Sequence, residues 1–234
     1  MRSTACSTGR PLPRLLVLTD RSMVPAGQDL ISTLRAAVDG GARAVVLRDR
    51  DLPSPARARL ADQVQALLLP VGGVLLLASP EPSGWPAPLA GLHLRSADPV
   101  PTTRPALLGR STHSVDEVLR AAAEGCDYVT LSPVAPTRSK PGYGPSLGAA
   151  GFGSMLAHAR RVRPQLPAVF ALGGVDEHNA TSLLDAGAYG VAVMGSVMNS
   201  PDPGHTVAAL LAHLPAATPT TDPSPPPAST RRTS

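Results

Sequence analysis

Lys140 is the only lysine in the chain, among twenty arginines. It sits in Pro136-Thr137-Arg138-Ser139-Lys140-Pro141-Gly142, just after the apolar run Tyr128–Ser132. An ammonium beside the hydroxyls of Thr137 and Ser139, on a loop bounded by Pro and Gly, has the parts of a phosphate grip. A solvated surface charge is the other reading. Two glycine-containing turns add to the first. Gly173-Gly174 closes one apolar run, and Gly195-Ser196 follows Met194 at the end of the last. Backbone N–H groups at such turns, with a short helix start, bind phosphate; tight turns alone would need the same glycines.

Arg48 ends the run Val-Val-Leu-Arg-Asp-Arg. A guanidinium leaving an apolar strand needs an anion or water, so it either meets a substrate phosphate or pairs with a nearby carboxylate. His113, in Gly109-Arg110-Ser111-Thr112-His113-Ser114, stands between a strand end and a helix start. Imidazole is the side chain best matched to proton transfer near neutral pH; a histidine that hydrogen-bonds a helix end is the alternative. His93 lies inside a strand and reads as core, while His158, His178, His205 and His213 fall in or near helices. No histidine or cysteine pair has metal-ligand spacing, which excludes a zinc site of the usual kind.

These groups need a scaffold that places strand ends together. Eight apolar runs of four to six residues supply it: Leu15–Thr19, Ala44–Arg48, Val74–Ser79, Gly91–Arg95, Ala106–Arg110, Tyr128–Ser132, Ala168–Leu172 and Gly190–Met194. Near-continuous apolar runs suit parallel strands buried on both faces. Helical segments are expected at Asp29–Asp39, Pro55–Leu69, Ser114–Ala123, Leu147–Val162 and Asn179–Ala186. Ser114 with Glu117 reads as a capping box. The stretches after Ser79 and Ser96 are short and Pro-rich, so their helices are expected to be degenerate. The alternation predicts an α/β fold, a single (β/α)8 TIM barrel over residues 11–216, with function at the C-terminal strand ends. An open doubly wound sheet would want its Gly-rich loop early in the chain, whereas these glycines come late.

Composition sets the bounds. The 234 residues suffice for one sizeable domain, with an aliphatic core because aromatics are only 3%. The net charge of +4 sits mostly in two tails, residues 1–10 and 217–234, both expected to be disordered; the second is rich in Pro, Ser and Thr. The body between them is near neutral and carries no basic stripe of the kind that binds nucleic acid. Cys6 and Cys126 lie in unrelated settings and read as reduced thiols. With no signal-peptide stretch and no long apolar run, a cytoplasmic protein without membrane contact is expected. Homo-oligomerisation is left open.

Taken in order, the motifs resemble the thiamine phosphate synthase/TenI family from about Leu15 to Pro203. The resemblance rests on Leu18-Thr19-Asp20-Arg21, Gly91-Leu92-His93-Leu94 with Asp98, Gly109-Arg110-Ser111-Thr112-His113, and Asp127-Tyr128-Val129. It continues through Pro136-Thr137-Arg138-Ser139-Lys140, Ala171-Leu172-Gly173-Gly174 with Asn179, and Val191-Ala192-Val193-Met194. It implies a (β/α)8 barrel that binds a thiazole phosphate. One family activity, the synthase, joins a pyrimidine methyl diphosphate to thiazole phosphate with Mg2+. The other, the tautomerase, aromatises a thiazole carboxylate phosphate without a cofactor. The implied substrate contacts are Arg48, Arg50, Ser111, Thr137, Ser139, Lys140, Gly174, Met194, Gly195 and Ser196. His113 is the implied acid/base of the tautomerase, and Asp98 the implied Mg2+ ligand of the synthase.

Departures from the pattern discriminate between the two. Where synthases resemble Gln-x-Arg-Glu-Lys, this chain has Val46-Leu47-Arg48-Asp49-Arg50. Where they have Asn-Asp, it has Ala78-Ser79. These losses point to the tautomerase as the leading expectation. The Thr137/Ser139/Lys140 loop is synthase-like and argues for the alternative. A non-catalytic binder of thiazole or thiamine phosphates is the third.

Overall fold

The computed structural model describes residues 12–79, 91–136 and 146–216. Eight parallel strands close into a barrel in sequence order. They are β1 (Leu15–Leu18), β2 (Ala44–Leu47), β3 (Val74–Ala78), β4 (Leu92–Leu94), β5 (Leu108–Thr112), β6 (Tyr128–Leu131), β7 (Ala168–Leu172) and β8 (Gly190–Val193). Around them lie α1 (Leu30–Asp39), α2 (Ser54–Leu68), α3 (Val115–Ala123), α4 (Gly148–Val162), α5 (Ala180–Asp185), α6 (Gly195–Met198) and α7 (Pro203–Ala212). The expected TIM barrel is present. Both tails expected to be disordered lie outside the described residues.

The strands are apolar on both faces because each face meets a different core. Leu16, Leu18, Ala44, Val46, Leu76, Ala78, Tyr128, Phe170 and Ala192 fill the barrel interior. Their alternate neighbours Leu15, Val17, Val45, Leu47, Leu75, Leu77, Val129, Val169 and Val191 pack under the helices. This is the period-2 division of a strand between two apolar environments. An aromatic column completes the interior. Tyr128 stacks on His93 with ring centroids 5.6 Å apart and meets Phe170 edge-on at 5.8 Å.

Local sequence sets the helix starts. Asp29 accepts the Ser32 N–H at 2.9 Å ahead of α1, and Asp202 accepts the His205 N–H at 2.9 Å ahead of α7, which has Pro203 in its first turn. The Asp-Pro signal of α7 was legible but is absent from the expected helices. The capping box at α3 forms with a shift. Ser114 Oγ accepts the Glu117 N–H at 3.2 Å, while the Glu117 carboxylate reaches the N–H of His113 at 2.7 Å, not that of Ser114. Among the described residues no helix follows β4, as the Pro-rich composition there predicts.

One strand differs from expectation. β5 runs two residues later than the apolar run Ala106–Arg110. Its register pairs Gly109 with Tyr128, Ser111 with Thr130 and Thr112 with Leu131. Thr112 Oγ1 donates to the Thr130 carbonyl at 3.1 Å, and Ser111 Oγ meets His93 Nε2 at 2.9 Å. Polar residues continue the strand because partners in the adjacent strands satisfy them. No helix is long and apolar enough to cross a membrane among the described residues.

Candidate functional site

The C-terminal ends of β1, β2, β6, β7 and β8 surround a cavity of about 580 Å3. Arg48, Ser132, Gly173, Gly174, Met194, Gly195 and Ser196 all line it. The two glycine turns, 21 residues apart in the chain, therefore face one space.

Each turn is fastened from below. Asn179 Nδ2 donates to the Gly174 carbonyl at 2.8 Å, and Asn179 Oδ1 accepts the Asp176 N–H at 3.1 Å. Val134 and Ala135 donate their N–H groups to the carbonyls of Leu172 and Gly173 at 3.0 and 2.9 Å. In α6 the first intrahelical bonds run from Val197 and Met198 to the Met194 carbonyl. The N–H groups of Gly195 and Ser196 precede that ladder, as the opening donors of a helix do. Together the turns form a backbone cradle suited to a phosphate. Arg48 reaches its edge with its guanidinium against the Met194 sulfur.

His113 follows β5 at the same rim. Its Nδ1 lies 2.9 Å from the Ser132 carbonyl. A carbonyl only accepts, so the neutral ring carries its proton on Nδ1 and Nε2 is the basic nitrogen. Glu117 holds the His113 N–H with one carboxylate oxygen. With the other it accepts the Ser96 hydroxyl at 2.5 Å. The β5 loop and the β4 loop are thus tied through one side chain.

Asp49 fastens the ends of β1 and β2. It accepts the Thr19 hydroxyl at 2.5 Å and the Arg21 N–H at 2.9 Å, while Thr19 Oγ1 accepts the Arg48 N–H at 2.9 Å. Arg57, buried in α2, donates to the carbonyls of Leu47 and Ala78. Burial lowers its pKa, with Asp49 opposing the shift.

Arg50 is half-buried, and its Nε has no hydrogen-bond partner among the described residues. Its pKa falls to about 10, through burial first and then repulsion from Arg48, Arg95 and Arg57, with Asp98 opposing. It stays protonated at neutral pH. The same charges reach His93, whose pKa drops to about 3 through complete burial, then Arg50, Arg48 and Arg110. Neutral His93 bridges the Tyr128 hydroxyl at 3.0 Å and Ser111, as a core histidine should. Ser111 faces His93 in the barrel interior and is not among the cavity-lining residues.

Asp98 is already engaged. Its Oδ2 accepts the Ser79 hydroxyl and, at 2.8 Å, the Arg95 N–H. Its Oδ1 takes Arg95 Nε at 2.9 Å and Nη2 at 2.8 Å. Burial raises the Asp98 pKa, but these hydrogen bonds and the Arg95 charge outweigh it and the net shift is downward. Mg2+ asks for oxygen ligands in octahedral array and brings two positive charges. Among the described residues one carboxylate is present here, saturated by a hydroxyl and a guanidinium beside a further arginine, and this donor set does not fit the ion. Among the described residues no group of three His, Cys, Asp or Glu is placed to hold a metal.

Arg110, almost fully buried, anchors the loop that carries Arg95 and Asp98. Its Nη1 donates to the carbonyls of Arg95, Ser96 and Asp98 at 3.0, 2.9 and 2.8 Å, and its Nη2 pairs with Glu124 at 2.8 Å. Arg110 and Arg95 had no site role assigned from sequence, and Glu117 was legible only as part of the capping box with Ser114. Only the placement of a charged residue inside an apolar run marked the first of them. Thr137, Ser139 and Lys140 lie outside the described residues; Pro136, just before them, lines the cavity.

Comparison with known proteins follows this geometry. Residues 15–197 match the family described as thiamine monophosphate synthase. A putative thiamine-phosphate synthase of Geobacter sulfurreducens is 35% identical over 207 residues, covering 86% of this chain and 94% of the relative. A thiamine-phosphate synthase of Thermosynechococcus vestitus is 36% identical over 200 residues; 82% of this chain matches only 55% of that longer protein. A solved thiamine phosphate pyrophosphorylase of Pyrococcus furiosus superposes with a TM-score of 0.70 at 24% identity, over 85% of this chain and 94% of that one, a likeness of fold. The chain belongs to the thiamine monophosphate synthase/TenI family, whose enzymes serve thiamine biosynthesis.

Proposed function

We propose that this protein is a thiamine-phosphate synthase, joining a pyrimidine methyl diphosphate to a thiazole phosphate and releasing pyrophosphate. The observation that carries this reading is the presence of two anion-binding arrangements of different character on one barrel rim. The backbone cradle of Gly173, Gly174, Gly195 and Ser196 suits a phosphate monoester. The arginine cluster around Arg50 suits a more highly charged group. The relatives bearing the synthase name support it over the tautomerase expected from the sequence departures.

In this reading the cradle holds the thiazole phosphate and orients the ring. The thiazole nitrogen forms its bond to the pyrimidine methylene carbon as the carbon–oxygen bond to diphosphate breaks. The bonding pair leaves with the diphosphate, and no proton has to move. Positive charge already fixed at Arg48 and Arg50 stabilises the departing group, which is how pre-placed cations accelerate such steps.

A specific observation favours a second reading. His113, with Nδ1 on the Ser132 carbonyl at the β5 end of the rim, would move the proton in a tautomerase, a role worth about 10²–10⁴-fold in rate. Purified protein given both synthase substrates with Mg2+ is expected to form thiamine phosphate, measured by chromatography. No product at high enzyme concentration would reject the synthase. Aromatisation of the thiazole carboxylate phosphate, followed by NMR and lost in His113→Ala, would establish the tautomerase. Ligand binding without turnover in either assay would leave the non-catalytic binder.

A further inference from the structure

The family resemblance assigns Asp98 to Mg2+, and the structure gives that carboxylate a different partner. Arg95 holds it from three directions: its backbone N–H on Oδ2, and its Nε and Nη2 on Oδ1. Ser79 takes the remaining direction. An ion entering here would have to displace a guanidinium and accept the repulsion of Arg50, on which Asp98 acts.

We propose that this site takes the diphosphate without a divalent metal, with Arg95, fixed on Asp98, and Arg50 supplying the positive charge directly. The identity of the ligand as a diphosphate ester rests on the synthase reading; the anion site itself does not.

Three observations support it. First, the charges do not cancel. Among the described residues Arg48, Arg95 and Arg57 all repel Arg50, and Asp98 opposes them. An anion would relieve that repulsion and a dication would add to it. Second, Arg50 is incompletely partnered, with a buried Nε lacking an acceptor among the described residues. A buried donor left unpaired is costly, and an anion would satisfy it. Third, the loop bearing Arg95 is braced. Arg110 donates to three of its carbonyls, and Arg120 Nη2 donates to the Ser96 carbonyl at 2.6 Å. A cation held in this way needs little reorganisation when a ligand arrives, which is the advantage a bound metal otherwise gives.

The test is calorimetric titration of the full chain with inorganic pyrophosphate in EDTA. Binding is expected without metal. Arg50→Gln and Arg95→Gln are each expected to weaken it roughly 10- to 100-fold, the range for losing a charged hydrogen-bond donor. Arg95→Lys, which keeps the charge, is expected to retain more affinity than Arg95→Gln and so separates lost charge from misfolding. Asp98→Asn is expected to bind at least as tightly as the parent, because it removes a negative charge beside the anion. A conventional metal site predicts the reverse: no binding in EDTA, recovery with Mg2+, and loss of that recovery in Asp98→Asn. That pattern would overturn the proposal. Because the titration needs no turnover, metal-free binding without thiamine phosphate formation would uphold the site and reject only the synthase reading.

Discussion

Replacing Gly174 with Ala tests the phosphate cradle at its tightest point. Gly174 has φ of 67°, and a Cβ built there would stand 2.6 Å from the Pro136 carbonyl oxygen and 2.8 Å from Ala135 Cβ. Two costs follow. The left-handed backbone costs an L-residue about 1–2 kcal/mol. Forcing a methyl group into occupied space adds about 1–3 kcal/mol, and here the obstacle is largely backbone. Gly148 provides the control: its φ is 61°, and a Cβ there meets nothing within 4 Å among the described residues. Gly148→Ala therefore carries the first cost alone. Gly174→Ala is expected to melt about 4–20 °C below the parent and Gly148→Ala about 2–8 °C below it, at about 2–4 °C per kcal/mol for a domain of this size.

The consequence for ligand is larger. The β6 loop and the β7 turn must separate to admit the methyl group, which carries the Gly174 N–H away from the cavity. Losing one N–H contact to a phosphate is worth about 10- to 100-fold in affinity. Thermal unfolding by circular dichroism and calorimetric titration with thiazole phosphate read the two effects separately. If Gly174→Ala melts with Gly148→Ala and binds thiazole phosphate as the parent does, the cradle argument is wrong.

Other predictions follow from the supports of the rim. His93 has its folded pKa depressed to about 3, so between that value and its ordinary pKa near 6.5 the unfolded chain binds more protons. Stability is then fully present above about pH 6.5 and is lost as pH falls, with a slope approaching about 1.4 kcal/mol per unit; urea unfolding at pH 5 and 7 should show a smaller difference in His93→Gln, and an unchanged difference would refute the assignment. Glu117→Ala removes the acceptor for the His113 N–H and the Ser96 hydroxyl. It is expected to cost about 2 kcal/mol in thermal or urea unfolding, and a melting point within 1 °C of the parent would contradict that. Asp49→Ala leaves the Thr19 hydroxyl and the Arg21 N–H without their buried acceptor and should cost about 3 kcal/mol by the same measurement; a loss under 1 kcal/mol would show the tether to be replaceable.

The barrel was legible because its signal is local and repeated. Each strand is apolar on both faces, and eight such runs alternating with helices leave few other folds. The shift of β5 was not legible, because Ser111 and Thr112 look like loop residues until Thr130 and His93 are known to satisfy them. The site divides in the same way. Gly174, Gly195 and Ser196 carry backbone chemistry that Gly and Ser mark in sequence, and the structure brings them to one cavity. Arg48 was equally visible, as a charge ending an apolar strand. Arg95 was not, because its meaning depends on Asp98 three residues later, and nothing in the spacing says that the carboxylate will accept a guanidinium. Arg110 was assigned to a strand end, yet it holds the preceding loop through three carbonyls, a contact set that only tertiary structure reveals.

The pattern of departures also reads differently once the loops are in place. In sequence, Ala78 and Ser79 look like simple loss of a metal site, and loss argued for abandoning the diphosphate chemistry. In the structure, Ser79 donates to Asp98, Arg57 covers the Ala78 carbonyl, and Arg95 occupies the rest of the carboxylate. A degraded site would leave Asp98 facing unpaired donors or solvent. Instead its side chain is only 10% exposed and its hydrogen bonds lower its pKa against the cost of burial. The negative charge is therefore kept and used. As an acceptor Asp98 holds the Arg95 guanidinium, which would otherwise be free to swing into water, and an amide oxygen at the same place would keep that hold without the negative charge. Missing metal ligands thus bear on how the charge of a substrate is met, and do not by themselves decide which reaction the barrel performs.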